Sequence, residues 1–164
     1  AEFGITKGGQ NLAGLLVFLP DVHSLGLNIA QGLKLTETFY WDLNDNTRAF
    51  TKRFAAAQGG KHPSMVQAGV YSSVIHYLKA VDAAKTDDGT KVAAKMKELP
   101  TDDPLFGKGT VRADGRKIHP AYLFEVKKPA ESKGPYDYYK LIATIPANEA
   151  FRPLAESECP LVKK

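Results

Sequence analysis

The stretch that decides the fold of this chain is Ile29-Ala30-Gln31-Gly32-Leu33-Lys34-Leu35-Thr36-Glu37-Thr38-Phe39-Tyr40-Trp41-Asp42. The β-branched and aromatic residues from Gly32 to Phe39 show some alternation, which predicts a strand. An apolar run, Leu12 to Leu19, precedes this stretch and lies between a Gly8-Gly9 pair and Pro20. Such a run is typical of a strand buried on both faces of a parallel sheet. We therefore expect two strands in the first forty residues.

Three amphipathic helices are predicted in the middle of the chain. The first is capped by Asn46 or Thr47, packs through its phenylalanines and ends at Gly59-Gly60. The second begins at Pro63-Ser64, and the third, Thr90–Leu99, stops at a proline. The second helix is apolar over a wide arc, and we expect it to be well buried through the stripe Val70, Val74, Leu78 and Val81.

Strands return in the last third of the chain. Residues Thr101–Pro104 are typical of a turn, and Ala113-Asp114-Gly115-Arg116 is a hairpin signal. Two closing strands, Ala121–Val126 and Tyr138–Ile145, are separated by a loop rich in lysine, proline and glycine at Lys127–Pro135. The alternation of strands and helices along the chain predicts an α/β fold.

The order and spacing of several segments resemble the second half of a type I periplasmic solute-binding protein. This leucine-binding-protein-like family supplies the ligand-capturing component of ABC importers for branched-chain amino acids and aromatic acids. The resemblance covers nearly the whole chain, and the segments that carry it, besides the opening stretch, are Gly69-Val70-Tyr71-Ser72-Ser73-Val74-Ile75, Phe106-Gly107-Lys108-Gly109-Thr110-Val111-Arg112-Ala113-Asp114-Gly115-Arg116 and Tyr136-Asp137-Tyr138-Tyr139.

The resemblance implies the C-terminal portion of a two-lobed α/β fold with parallel sheets flanked by helices. Residues 1–38 and 120–164 would belong to the second lobe, and residues 39–119 to the first. Family members are about twice as long as these 164 residues, and Ala1-Glu2-Phe3-Gly4-Ile5 reads as the end of a helix. We therefore expect a C-terminal fragment that lacks an N-terminal half. An independent small α/β domain is the alternative.

The implied function is extracytoplasmic capture of a small molecule. The ligand would be a small organic acid, an aromatic carboxylate or an amino-acid-like compound, held between two lobes that close about a hinge and then presented to a membrane permease. No cofactor is implied. The isolated fragment is expected to pair with its N-terminal half or with a second copy of itself, since the long helix needs cover for its apolar face.

Gln31 is the first candidate ligand-binding residue, and its selection depends on the resemblance to the family. Leucine-binding relatives carry a glutamate in the pattern Ala-Glu-Gly that pairs with the ligand's ammonium group, whereas this chain has Ala30-Gln31-Gly32. A neutral amide suits an uncharged polar group instead, which favours a carboxylate ligand without an amine. The alternative is an exposed glutamine that precedes a strand.

Asp21, His23 and Tyr71 are the other candidate ligand-binding residues. The first two are predicted to follow the first strand in a loop that lines the cleft, where a histidine can donate to a carboxylate. They can equally be a turn-capping aspartate and a solvated histidine. Tyr71 matches a tyrosine that closes over the apolar part of the ligand in the family, or it is a core aromatic. The Phe39-Tyr40-Trp41 cluster is expected to pack the hinge.

Other kinds of chemistry lack support in the sequence. The net charge of +4 comes from lysines interleaved with acids, which does not resemble a nucleic-acid groove. His62, His76 and His119 have no metal-ligand spacing, Cys159 has no catalytic partners, and nucleotide-binding and hydrolase motifs are missing. Two alternatives stay open: an α/β enzyme acting on a small organic acid, with Asp21 and His23 as an acid/base pair, and the sensor module of a receptor.

Overall fold

A computed structural model describes residues 4–160 and residue 162. Its helices and strands, in chain order, are β1 (Ala13–Gly14), α1 (Leu19–Leu25), α2 (Leu27–Ala30), β2 (Lys34–Glu37), α3 (Asp45–Ala57), α4 (Met65–Ala84), α5 (Gly89–Glu98), β3 (Thr101–Asp103), β4 (Gly107–Val111), β5 (Lys117–Ile118), β6 (Ala121–Val126) and β7 (Tyr139–Ile145). Short 3-10 turns occupy Ile5–Gly8, Pro129–Glu131 and Leu154–Glu156. The helix end expected at Ala1–Phe3 lies outside the described residues.

The elements form two compact units, and the chain passes from one to the other more than once. The first unit comprises the residues up to Met65 together with Ala121–Ile145, and the second comprises Val66–Pro120 and the residues from Pro146 onward. Among the described residues, no helix combines the length and the apolar character that crossing a bilayer requires.

The first unit is built on a four-stranded sheet in the order β1-β2-β6-β7. Strands β1 and β2 are parallel, whereas β2 pairs antiparallel with β6, and β6 antiparallel with β7. The expectation of parallel sheets is therefore wrong, and the sheet is mixed. The physical reason is the connection between β6 and β7, which returns the chain directly to a neighbouring strand, and such hairpin-like connections join antiparallel strands.

The predicted first strand is much shorter than the apolar run that suggested it. Only Ala13–Gly14 pairs with β2, and α1 begins at Leu19. Pro20 lies in the first turn of α1, where a missing N–H costs nothing, and the Asp21 carboxylate accepts a hydrogen bond of 2.8 Å from the Phe18 N–H. The prediction that Asp21 and His23 lie in a loop is therefore wrong, because both lie on this helix.

Helix α3 has the position expected but a different cap. Asn44 is the N-cap: its side-chain oxygen accepts from the Thr47 N–H at 3.1 Å, and the Thr47 hydroxyl accepts from the Asn44 N–H at 3.0 Å. The predicted caps, Asn46 and Thr47, are thus displaced by two or three residues. Phe50 is buried as expected, and positive φ angles at Gly59 and Gly60 follow the helix end.

The core of the first unit joins both of its chain segments. Leu19 and Val22 of α1 pack with residues of the sheet, and all members of the cluster are less than a tenth exposed. The cluster contains Leu19, Val22, Ala30, Leu35, Tyr40, Phe124, Val126 and Tyr139.

Helix α4 is formed as predicted but buries a different face. Its buried positions are the small or polar residues Ala68, Ser72, His76 and Ala80. The stripe expected to be buried is instead exposed, with Val70, Val74 and Leu78 at 60%, 49% and 57%. The prediction of a well-buried apolar stripe is therefore wrong, because the small residues of the opposite face permit closer packing.

The remainder of the second unit follows the sequence closely. Helix α5 is capped by Asp88 and buries Val92, and strands β4 and β5 form the hairpin expected around residues 113–116. The turn expected at Thr101–Pro104 is wrong for its first three residues, which form β3 and pair antiparallel with β4. β4 is closely flanked by both of its neighbours, since a Cβ at Gly109 would lie 2.7 Å from the Ile118 carbonyl oxygen of β5 and 2.9 Å from the Thr101 hydroxyl oxygen of β3.

Candidate functional site

Tyr136 is the centre of a polar-aromatic arrangement in the first unit. Its backbone has φ +66°, in the left-handed region that non-glycine residues rarely adopt. The Tyr136 carbonyl oxygen accepts hydrogen bonds from the Tyr40 hydroxyl and from the Trp41 indole N–H, each at 2.8 Å. These two donors offset a backbone strain of roughly 1–3 kcal/mol, so the position of Tyr136 is fixed by its surroundings.

Two histidines stack against the ring of Tyr136. The ring centroids of His23 and His62 lie 4.5 Å and 4.3 Å from that of Tyr136, and both imidazoles are inclined to it by only 14°. Trp41 meets His62 edge-on at 4.8 Å. We call His23, His62, Trp41, Tyr136 and the neighbouring Tyr138 the aromatic stack.

His23 also makes a polar contact within the aromatic stack. Its Nδ1 and the Tyr138 hydroxyl share a hydrogen bond of 2.8 Å, and the two rings are stacked at 5.9 Å. The Tyr138 N–H in turn donates to the Tyr40 hydroxyl at 3.2 Å. His23 remains exposed on its outer side, so one ring nitrogen is held while the imidazole stays accessible.

His62 lies deeper than His23. Its Nδ1 is buried and has no hydrogen-bond partner among the described residues. Burial lowers the pKa of His62, because a charged imidazolium would lose its hydration there. His62 is therefore neutral at neutral pH and contributes a flat, uncharged face to the aromatic stack.

Asp21 and Gln31 make local contacts instead of joining the aromatic stack. Asp21 is exposed, and its carboxylate caps the start of α1 by accepting a hydrogen bond from the Phe18 N–H. Gln31 is exposed at the end of α2, and its side-chain amide donates to the Asn28 carbonyl oxygen at 3.0 Å. It also lines an open groove of about 460 Å³, together with Asn28 and the apolar side chains of Leu12 and Ile29.

Tyr71 belongs to the second unit. It lies on α4, is half-buried, and adjoins the buried Ser72. Of the four residues selected from the sequence, the structure thus brings His23 together with other aromatic residues. The sequence prediction missed Tyr136, Tyr138, His62 and Trp41 as companions of His23, although the run Tyr136-Asp137-Tyr138-Tyr139 was a visible aromatic signal.

Leu15 and Leu16 form a second feature that the sequence prediction did not single out. They follow the carboxyl end of β1 and are 92% and 80% exposed, the highest values among the large apolar side chains described. In open α/β sheets, ligands bind beyond the carboxyl ends of the parallel strands. Two exposed leucines at that place offer an apolar contact for a small molecule.

The second unit contains a buried polar cluster without the exposure that catalysis needs. The Ser72 hydroxyl donates to Asp103 at 2.7 Å, and the Lys117 ammonium donates to both side chains at 2.5 Å. Burial alone would raise the pKa of Asp103, but the hydrogen bonds from Lys117, Ser72 and two backbone N–H groups outweigh it and lower the pKa. Ser72 is only 2% exposed, so this cluster stabilises the fold and offers no nucleophile. In the described part of the chain, no group of three or more histidine, cysteine or acidic side chains is placed to hold a metal ion.

Comparison with known families gives a match over most of the chain. A family model described as periplasmic binding protein matches residues 1–135. A comparison with curated proteins gave no match.

Solved structures of longer proteins resemble this chain closely. A periplasmic binding protein from Burkholderia mallei has 51% identity and a TM-score of 0.91 over 99% of this chain. A branched chain amino acid ABC transporter periplasmic ligand-binding protein from Burkholderia xenovorans has 44% identity and a TM-score of 0.87 over 98% of it. A solute binding protein from Rhodopseudomonas palustris, in complex with 3,4-dihydroxy benzoic acid, has 19% identity and a TM-score of 0.72 over 89% of it, which shows a shared fold. The chain spans 42%, 42% and 40% of the lengths of these three proteins.

Proposed function

The chain belongs to the periplasmic binding protein family, and from this premise we propose that its protein is the extracytoplasmic solute-binding component of an ABC importer. The observation that carries the proposal is the match of the family model to residues 1–135. The 44% identity to a periplasmic ligand-binding protein of an ABC transporter supports it further. This family consists of binding proteins, so the enzyme alternative is set aside.

The proposed protein captures its ligand between two lobes. Residues 1–38 and 120–164 are proposed to belong to the second lobe and residues 39–119 to the first, with crossings near Thr38–Trp41 and His119–Tyr122. Pairing of β2 with β6 in one sheet supports the return of the chain to its starting lobe. The compact units differ from these proposed lobes in two places: the first unit includes the residues up to Met65, and the residues from Pro146 onward belong to the second unit.

We propose an aromatic carboxylate as the ligand. A neutral Gln31 provides no carboxylate for an α-ammonium group, while exposed leucines and stacked aromatic rings suit a flat, apolar ring. The Rhodopseudomonas palustris protein with the same fold was solved with 3,4-dihydroxy benzoic acid. A branched-chain amino acid is the second candidate, because the relative with 44% identity is described as a branched chain amino acid transporter component.

The proposed roles of the four candidate residues follow from their chemistry. His23 donates a hydrogen bond to a carboxylate or hydroxyl of the ligand, and Asp21 contributes by fixing the start of the helix that carries His23. Gln31 pairs with an uncharged polar group, and Tyr71 covers the ring. Closure of the lobes would favour the bound form through contacts from both sides.

A thermal-shift screen tests the proposal directly. Benzoate, 3,4-dihydroxybenzoate, leucine and isoleucine are added separately to the protein at a hundredfold excess over the dissociation constant, where a bound ligand stabilises the fold by about 2.7 kcal/mol. We expect the aromatic acids to raise the melting temperature and the amino acids to leave it unchanged. A shift with leucine alone would overturn the ligand class but not the binding function, whereas no shift with any small acid or amino acid would overturn both.

A further inference from the structure

Glu37 is a buried acid with three donors from three different elements. It ends β2 and is only 1% exposed. One carboxylate oxygen accepts from the Tyr139 hydroxyl at 2.8 Å, and the other accepts from the Met65 N–H at 3.3 Å. The Leu19 N–H faces the carboxylate as a third donor group and favours its ionised form. All four residues belong to the first unit.

Two of these donor groups lie at the first residue of a helix. Met65 is the first residue of α4, a helix of 20 residues, and Leu19 is the first residue of α1. The N–H groups at a helix start have no partner within the helix and favour a negative charge. One carboxylate therefore holds the starts of two helices and the side chain of a third element, β7.

The charged and titratable groups around Glu37 have opposite effects on its pKa. Asp21, on α1, is a like charge that disfavours the ionised form, and the Tyr139 hydroxyl on β7 donates to it. Tyr122 lies opposite Glu37 on β6, and its own pKa is raised by burial. Met65 brings only its backbone N–H from α4.

Burial decides the balance of these effects. Desolvation raises the pKa of Glu37 to about 7, although the hydrogen bonds from Tyr139, Met65 and Leu19 lower it. Both forms of the carboxyl are consequently populated near neutral pH. Since only the ionised form accepts charge-assisted hydrogen bonds, which are roughly twice as strong as neutral ones, the two forms hold the helix starts differently.

We propose that Glu37 is a proton-controlled contact for the start of α4: the ionised carboxylate holds the Met65 N–H, and protonation loosens that hydrogen bond. The added proton donates to the Tyr139 oxygen or displaces one of the N–H donors, because the protonated acid has a donor of its own to satisfy. Mild acidification thus makes the first turn of α4 open more often. The inference concerns the fold and does not depend on the identity of a ligand.

Nuclear magnetic resonance of the protein tests this device. The side-chain carboxyl carbon of Glu37 and the backbone amides of Met65 and Leu19 are followed from about pH 5 to about pH 8.5. We expect all three signals to change together with a midpoint at about 7. Amide exchange at Met65, corrected for its intrinsic pH dependence, is expected to be about tenfold faster at the acidic end, since a charge-assisted hydrogen bond has become a neutral one.

Three variants separate this role from a merely structural one. Glu37→Gln has nearly the same shape and no charge, so the two amide signals should lose their titration and keep the acidic form. Asp21→Asn removes the like charge but retains an acceptor for Phe18, so the midpoint should fall. Tyr139→Phe removes a donor to the carboxylate, so the midpoint should rise.

Three results would overturn the inference. The first is a Glu37 midpoint near the ordinary value of 4.5. The second is a Met65 amide that stays constant while Glu37 titrates. The third is an unchanged amide titration in Glu37→Gln, which would assign the step to a group other than Glu37. If Glu37→Gln fails to fold, the parent protein and Asp21→Asn still decide the question.

Discussion

Replacement of Tyr40 by phenylalanine tests whether the hydroxyl at the centre of the first unit holds the segment before β7 in place. Tyr40 is 5% exposed, and its hydroxyl makes three hydrogen bonds. It donates to the Tyr136 carbonyl oxygen at 2.8 Å and accepts from the Tyr138 and Tyr139 N–H groups at 3.2 Å and 3.4 Å. Phenylalanine retains the ring packing and removes only the oxygen.

The magnitude follows from the groups left behind. The Tyr136 carbonyl keeps the Trp41 indole as a donor, whereas two N–H groups lose this acceptor. A buried polar group that loses its partner costs about 1–3 kcal/mol, and the longer of the two bonds is weak. We therefore expect Tyr40→Phe to lower the free energy of unfolding by about 2 kcal/mol.

Urea unfolding followed by tryptophan fluorescence measures this loss of stability in the first unit, which contains Trp41. Trp41 is the single tryptophan of the chain and donates to the same carbonyl oxygen, so its emission reports on the region concerned. With a slope of about 2 kcal/mol/M, the urea midpoint should fall by about 1 M. Tyr77→Phe is the matched control, since Tyr77 is 42% exposed on α4 and should change stability by less than about 0.5 kcal/mol. Equal midpoints for Tyr40→Phe and Tyr77→Phe would refute the reasoning.

Three further predictions concern the ligand, the buried ion pair and the exposed helix face. Tyr71→Ala is expected to weaken binding of an aromatic acid by at least about 1 kcal/mol in calorimetry, whereas Lys95→Ala on α5 leaves it unchanged; equal affinities with both variants folded would remove Tyr71 from the site. Asp103→Asn should destabilise the protein at neutral pH, because a carboxyl with a lowered folded pKa stabilises above its unfolded pKa of about 3.8. That difference from the parent should shrink as the pH falls from about 3.8 and disappear only below the lower folded pKa of Asp103, and a pH-independent difference would show that the charge has no role. The 164-residue chain, produced by itself, should form dimers or larger species in light scattering through the exposed stripe of α4, and Val70→Lys with Val74→Lys should reduce this association; a monomeric parent would contradict it.

Local signals in the sequence located most of the elements. The glycines after α3, the proline before α4 and the turn at residues 113–116 act over a few residues, so their meaning did not depend on the rest of the fold. The apolar run Leu12 to Leu19 misled for a related reason. Hydrophobic composition does not distinguish a buried strand from a short strand followed by a helix, and Pro20 was the residue that marked the helix start.

Long-range contacts account for what the sequence could not supply. His23 and Tyr138 are 115 positions apart, and their contact depends on the sheet that brings α1 beside the segment before β7. The residues around Glu37 are also distant from it in the sequence, since its hydroxyl donor Tyr139 lies 102 positions away. The face that α4 buries was also hidden, because the larger apolar residues suggested one side and the small residues packed on the other.

The strand order of the first unit has a consequence for how this chain acquires its structure. β2 ends at Glu37, but its neighbour β6 begins only at Ala121, so their pairing closes a long loop that contains the larger of the two segments of the second unit, Val66–Pro120. Closing such a loop carries an entropic cost before any contact compensates for it, and pairings distant in sequence form slowly. During synthesis, β2 leaves the ribosome well before its antiparallel partner β6 exists. The helices that lie between β2 and β6 in the sequence, α3 to α5, are then free to fold first. The sheet is completed only when the residues after Pro120 have been synthesised.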